Sequence, residues 1–412
     1  MPTPARSCRF CNRPLSRTFV DLGMSPLCQT HVGAEQLQDM EPFYPLHAYL
    51  CDACLLVQLP EIVNPERIFS EYAYFSSYAD SWVEHARRYS EQMCERLHLG
   101  PGSQVIEIAS NDGYLLQHFV ARGIPSLGVE PAANVAEVAI RRGIPTEVSF
   151  FGRDSARKLA QRHPRPDLMI GNNVLAHVPD LNDFVAGMQL LLKQDGIITL
   201  EFPHLYRLMQ FNQFDTIYHE HFSYFSFITV ERIFAAHDLE IFEVEELPTH
   251  GGSLRIYAHH AGERSHALSP RVAALRAQER ADGLDRIETY LAFGEQVRRT
   301  KHALLEFLID ARRSHKRIVG YGAPGKGNTL LNYCGIRTDF LDFTVDRNPY
   351  KQGKYTPGTR IPIRAPEELL AARPDYVLIL PWNLREEIMQ QMSAIRAWGG
   401  QFVVPIPTVQ VL

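Results

Sequence analysis

QVIEIASNDGYLLQHFVARGIPSLGVEP, residues 104–131, reads as strand, turn, helix and second strand, with an acidic residue ending each strand. Val105, Ile106 and Ile108 form a short apolar run, residues 109–113 interrupt it, and Tyr114 to Val120 resumes at helical spacing. A second strand, Ser126 to Val129, stops at Glu130. A carboxylate there suits a ribose diol, whose hydroxyls need a rigid acceptor at the carboxyl edge of a parallel sheet. The turn Ala-Ser-Asn-Asp-Gly at 109–113 holds one glycine where a dinucleotide fingerprint holds three, so a pyrophosphate has less room against the backbone. That favours S-adenosylmethionine over NAD. An ordinary strand–turn–helix unit of an α/β domain carries the same pattern.

Downstream, residues 166–172 and 196–203 read as further strands, and residues 173–181 lead into an amphipathic helix. This order of elements, with an acid after each of the first two strands and Leu-Lys-x-Asp-Gly before the fifth, resembles class I S-adenosylmethionine-dependent methyltransferases.

The chain of 412 residues is too long for one ordinary core and suits two or three domains. With 45% hydrophobic and 22% charged residues it has the make-up of a soluble globular protein. A net charge of −5 offers no field for polyphosphate polymers, which argues against nucleic acid and towards small molecules. The N-terminal stretch has no apolar signal core, and no apolar run approaches the ~18 residues of a membrane span, so a cytoplasmic protein without membrane contact is expected.

Cys8 and Cys11 form one Cys-x2-Cys pair and Cys51 and Cys54 another. Four thiolates close a tetrahedral Zn²⁺ site, which predicts a structural zinc that stays out of the chemistry. Four unrelated buried cysteines are the alternative. Residues 71–82 crowd tyrosines and serines, including Tyr72, Ser76 and Ser77, which suit either a sugar pocket or a domain junction. The richest stretch chemically is 213–226, where Tyr218, His219, Glu220 and His221 stand in a row and Tyr224 follows. A loop or strand aims Tyr218, Glu220 and His221 at one place, and imidazole is the usual general base near neutral pH. Residues 249–255 make a Gly-Gly turn after His250, and residues 268–316 read as a solvated helical connector.

Residues 317–329 then match Gly-x-Gly-x-x-Gly through Gly320, Gly322 and Gly325, with Asp346 ending the next strand. A Walker loop is disfavoured, since Gly327 stands where Ser or Thr would hold Mg²⁺. The fingerprint suits the diphosphate of either NAD or a sugar nucleotide, with Lys326 adding charge.

Taken together, the paired cysteines and the ordered segments at 72–78, 111–115, 172–179, 218–224, 250–255 and 320–327 resemble the sugar C-methyltransferases. These act on nucleotide-activated 4-keto-deoxysugars, as in mycarose and tetronitrose biosynthesis. The resemblance covers essentially the whole chain. It implies an α/β protein with an N-terminal zinc-binding domain (1–70), a central class I methyltransferase domain (71–265), a helical connector (266–316) and a C-terminal Rossmann-like domain (317–412) that helps to hold the nucleotide. It also implies His221 as base with Tyr218 and Glu220 beside it, and His177 and Tyr72 facing the sugar. Tyr218 and His177 are the expected donors to the C4 oxygen. Ala109, Asn111, Asp112, Gly113, Glu130, Pro131, Phe150, Phe151, Asn172 and Asn173 are the expected cofactor contacts. Ser76, Ser77, Tyr224, His250, Tyr321, Gly325 and Lys326 join Tyr72 as expected substrate contacts.

The expected function is methyl transfer from S-adenosylmethionine to C3 of a dTDP-4-keto-deoxysugar through an enolate. Methylation at C5, O- or N-methylation of a related sugar, an NAD-dependent oxidoreductase and a zinc-ribbon module that senses a nucleotide sugar are the rivals. Oligomeric state is not legible.

Overall fold

A computed structural model describes residues 6–62, 75–78 and 80–412. The expected strand–turn–helix–strand unit opens a seven-stranded sheet. Across the sheet the strands run Leu239–Leu247, Ser253–His260, Ile197–Pro203, Leu168–Asn172, Val105–Ile108, Ser126–Val129 and Thr146–Glu147. The five strands from Ile197–Pro203 to Thr146–Glu147 are parallel, and the remaining two pair antiparallel. Val105–Ile108 and Leu168–Asn172 are buried along their whole length, as parallel strands covered by helices on both faces must be. The helix Leu181–Leu191 starts where Asp180 accepts a hydrogen bond from the Asp183 N–H. The turn at 109–113 and the start of 173–181 therefore leave the same edge of the sheet, where ligands of such sheets bind.

The C-terminal sheet runs Ile363–Arg364, Thr344–Val345, Ile318–Tyr321, Tyr376–Ile379 and Gln401–Val404 in parallel, closed by the antiparallel Gln410–Val411. The N-terminal sheet, Arg17–Ser25, Tyr44–Leu50 and Val57–Gln58, takes its fourth strand, Ser223–Tyr224, from the segment that carries His221.

The stretch expected to be a solvated helical connector is helical, and it also lays one face into the cores. The helix Pro270–Ala281 buries Val272, Leu275 and Glu279. The Glu279 carboxylate, fully buried, accepts from the Phe227 and Ile228 N–H groups and sits 2.7 Å from His204 Nε2. The helix Phe293–Arg313 buries Phe293, Val297, Leu304 and Leu308, and Phe293 stacks on Phe19 of the N-terminal sheet at 4.7 Å. Its many arginines face water, and they hid the apolar stripe beneath.

Two cores cross the expected boundaries. Phe19, Val20, Leu46 and Leu50 share one core with the C-terminal sheet. Cys8, Cys51, Cys54 and Leu56 share another with Val178, Phe227 and Val230 around the seven-stranded sheet. The N-terminal region is thus packed against both larger sheets.

Candidate active site

One cavity of about 430 Å³ opens at the carboxyl edge of the seven-stranded sheet and reaches the first turn of the helix Gly325–Cys334. One end, where the sequence places the cofactor, is made by the two turns that leave the sheet edge. Ala109 (φ 57°), Asn111 (φ 51°) and Asn173 (φ 54°) all line it in the left-handed region. Such non-glycine conformations each cost on the order of 1–3 kcal/mol and persist where the surroundings enforce them, typically at ligand clamps. Glu130 holds this end together: its Oε2 accepts from the Asn111 N–H and its Oε1 from the Ala132 N–H, both at 2.9 Å. Burial raises its pKa. Pro131, Phe150, Phe151 and Asn172 line the same end, and Phe151 meets Phe184 edge-on at 5.4 Å.

S-adenosylmethionine fits this donor set: a carboxylate fixed at the second strand end, the exposed Phe150 ring beside it, and Asn111, Asn172 and Asn173 lining the same space. Asn173 Oδ1 is buried there without a partner among the described residues. Two of the residues expected here do not line the cavity. Asp112 turns away to Ser77 and Arg142, and Gly113 (φ 78°) backs onto Ile144 and Ala139.

At the opposite end the segment 214–221 winds so that Tyr218, Glu220 and His221 face the cavity while His219 turns to the Pro45 carbonyl, 3.3 Å away. The reach that strand-like alternation allows is realised by a turn. His221 Nδ1 lies 3.1 Å from the Thr216 carbonyl oxygen, which can only accept, so Nδ1 carries the proton and Nε2 presents its lone pair. Burial and the neighbouring His177 hold the His221 pKa well below the ordinary value. The two rings meet edge-on at 4.7 Å, and Tyr218 packs on His221 at 4.1 Å.

His177 is held alike, with Nδ1 2.8 Å from the Glu220 carbonyl oxygen and its pKa pushed down to about 4 by burial. Neutral, and with its Nδ1–H given to that carbonyl, His177 has no second N–H for the C4 oxygen to which the sequence assigned it as donor. The Glu220 carboxyl does not orient an imidazole either. Its Oε1 faces the Cys28 thiol at 3.9 Å, and burial raises its pKa to about 7.

The remaining wall comes from the N- and C-terminal regions. Lys326 lines the cavity, its Nζ donating to Asn383 Oδ1 at 2.9 Å and lying 4.6 Å over the Trp382 ring. Trp382 Nε1 donates at 2.7 Å to the buried Asp215, whose pKa burial raises to about 6. Gly325 also lines the cavity, and a Cβ there would meet Cys28 Sγ at 2.9 Å and Gln29 Nε2 at 3.1 Å. The third glycine of the fingerprint thus seats the loop that carries Cys28 and Gln29. Asp346 accepts from the Ala323 and Asn348 N–H groups, so its carboxylate ties the fingerprint loop to the turn that follows the strand Thr344–Val345.

His250 lines the cavity at φ 55°, 3.3 Å from Asn173 Nδ2. Ser76 lines it too; Ser77, Tyr224 and Tyr321 do not. Ser77 is taken by Asp112, Tyr224 lies in the N-terminal sheet, and the Tyr321 hydroxyl points to Gln391. Tyr72 lies outside the described residues. Sequence reasoning missed Gln29, Trp82, Tyr114 and Thr216. Tyr114 follows the Asn-Asp-Gly turn and Trp82 closes the aromatic stretch, so both carried a signal, whereas Gln29 and Thr216 carried none.

Apart from this cavity, the Sγ atoms of Cys8, Cys11, Cys51 and Cys54 lie within 4.8 Å of one another. Cys8 and Cys54 are 3.6 Å apart and Cys11 and Cys51 3.4 Å. Four sulfurs about 2.3 Å from a tetrahedral Zn²⁺ stand about 3.8 Å from each other, so the cluster fits the metal with no position left for water or substrate.

Three domain families match consecutive parts of the chain: a zinc binding domain over residues 8–69, a methyltransferase domain over 82–244 and a C-methyltransferase C-terminal domain over 248–407. C-methyltransferase NovU of Streptomyces niveus is 36% identical over 409 residues, 99% of this chain and 97% of that protein. A ubiquinone biosynthesis O-methyltransferase of Bartonella bacilliformis is 26% identical over 98 residues, 24% of this chain and 40% of that one. Among solved structures, an S-adenosylmethionine-dependent methyltransferase from Clostridium acetobutylicum overlays 44% of this chain and 92% of its own, at 11% identity and a TM-score of 0.35.

Proposed function

The chain belongs to the C-methyltransferase family, an S-adenosylmethionine-dependent enzyme with a structural zinc domain, and on that premise we propose that it methylates C3 of a dTDP-4-keto-deoxysugar through an enolate. The observation that carries this reading is the single cavity in which the turns around Glu130 and the neutral His221–His177 pair face the same space. A ketone at C4 acidifies the proton on C3. His221 Nε2 takes that proton, the C–H electron pair becomes the C3=C4 bond of the enolate, and the C4 oxygen gains the negative charge. The Tyr218 hydroxyl is the donor proposed to stabilise that oxygen, since the neutral His177 gives its one N–H to the Glu220 carbonyl. Glu130, Asn111 and Asn172 would hold S-adenosylmethionine, which supplies an electrophilic methyl group on its sulfonium for the enolate carbon to attack. Lys326 would face the nucleotide diphosphate. Holding carbon and methyl group in line supplies up to roughly 7–11 kcal/mol in favourable cases.

The test is methyl transfer from labelled S-adenosylmethionine to a panel of dTDP-4-keto-6-deoxysugars, with the new carbon located by NMR. Solvent deuterium should exchange into C3 of the accepted sugar. Exchange confined to C5, or a methyl group on oxygen or nitrogen, overturns the proposed regiochemistry.

A further inference from the structure

Asp112 sits in the turn that shapes the cofactor end, yet its side chain leaves the cavity. It is fully buried, and its Oδ2 accepts from the Ser77 hydroxyl and, at 3.3 Å, from the Arg142 guanidinium. The same Arg142 nitrogen reaches the Asp112 carbonyl at 3.1 Å, and the other terminal nitrogen reaches the Ser77 hydroxyl at 3.3 Å. One residue earlier, the Ser76 N–H donates to Asn111 Oδ1 at 2.8 Å. Neighbouring residues of a strained turn thus each grip one residue of the segment 75–78, and a guanidinium fork from the end of the helix Ala133–Arg141 braces the second grip. Ser76 lines the cavity, and the helix that starts at Asp80 carries Trp82 into the same wall.

We propose that Arg142 is a positioning residue, which with Asp112 clamps the segment 75–78 to the cofactor turn so that cofactor binding orders one wall of the substrate cavity. Arg142 does not line the cavity. A ligand that stiffens the turn suppresses its local opening, and the clamp passes that stiffening to the Ser76 amide. The inference rests on the cofactor site alone and stands whichever sugar the enzyme takes.

Amide hydrogen exchange of the full-length zinc-loaded protein, with and without S-adenosylhomocysteine, tests it. Binding should slow exchange across 75–78 by about tenfold, within the range of coupling between linked sites. In Arg142→Ala that slowing should vanish while the affinity for S-adenosylhomocysteine, measured by calorimetry, falls by no more than about tenfold, the reciprocal of the lost coupling. Arg142→Lys, which keeps the charge but loses the fork, should restore part of it, and Ser77→Ala, which deletes only a hydroxyl, guards against a folding artefact. Equal slowing in wild type and Arg142→Ala, or no slowing in wild type, overturns the proposal. A large loss of cofactor affinity in Arg142→Ala overturns it too, by placing Arg142 in the cofactor site itself.

Discussion

At the scale of single residues, burial decides the chemistry. An exposed imidazole titrates near pH 6.5, whereas His177 and His221 lie below that value because the apolar surroundings penalise their charged forms. Both are therefore neutral bases at physiological pH. The acid limb of the pH profile of kcat/KM should fall below pH 6.5; a limb at or above that value removes the buried histidines from the role of base. His221→Ala should lower kcat by about 10²–10⁴-fold while affinity for S-adenosylhomocysteine is kept, as measured by turnover and calorimetry. The same burial links to stability. His177 has a folded value of about 4 against an unfolded 6.5, so the unfolded chain binds protons first. That stability is fully present above pH 6.5 and is lost as pH falls towards 4, a decline that melting temperatures across this window should show and that His177→Asn should flatten.

At the scale of elements, the Gly-x-Gly-x-x-Gly segment shows how one pattern serves two demands. Read as sequence, Gly325 makes room for a diphosphate. In the structure it makes room for Cys28 and Gln29 as well, and Cys28 in turn faces Glu220. Alanine in a helix ordinarily gains about 0.5–1 kcal/mol over glycine. Here the added methyl presses on a buried thiol, and Gly325→Ala should destabilise by about 1–3 kcal/mol, read as a lower melting temperature. Cys28→Ala in the same chain should recover part of the loss, because the two sites share one contact. The helix Pro270–Ala281 makes the complementary point. Its buried face includes an acid, Glu279, which no apolar period counts; only its partners at Phe227, Ile228 and His204 show why it is inside.

At the scale of the whole molecule, the zinc region acts as a tie between sheets. The strand Ser223–Tyr224, two residues beyond His221, pairs with Val57–Gln58, and those residues lie close after Cys51 and Cys54 in the chain. Metal binding to four thiolates is folding energy for such a region. Chelation should lower the melting temperature and abolish methyl transfer together, with both restored by added Zn²⁺; an active metal-free protein would show that the tie is dispensable. The sequence alone determined the strand–turn–helix–strand unit at 104–131 with Glu130 at its second strand end, the cysteine pairs and the adjacency of Tyr218 to His221. These are local signals, carried by period, turn chemistry and spacing over a few residues. Only the tertiary structure decided that Asp112 serves Ser77 and Arg142, that the His177 Nδ1 proton goes to the Glu220 carbonyl, that Gln29 and Thr216 reach the cavity, and that the stretch 268–316 lays one face into the cores. Each of those facts joins residues far apart in the chain, where hydrogen-bond direction and burial depend on what the fold brings alongside.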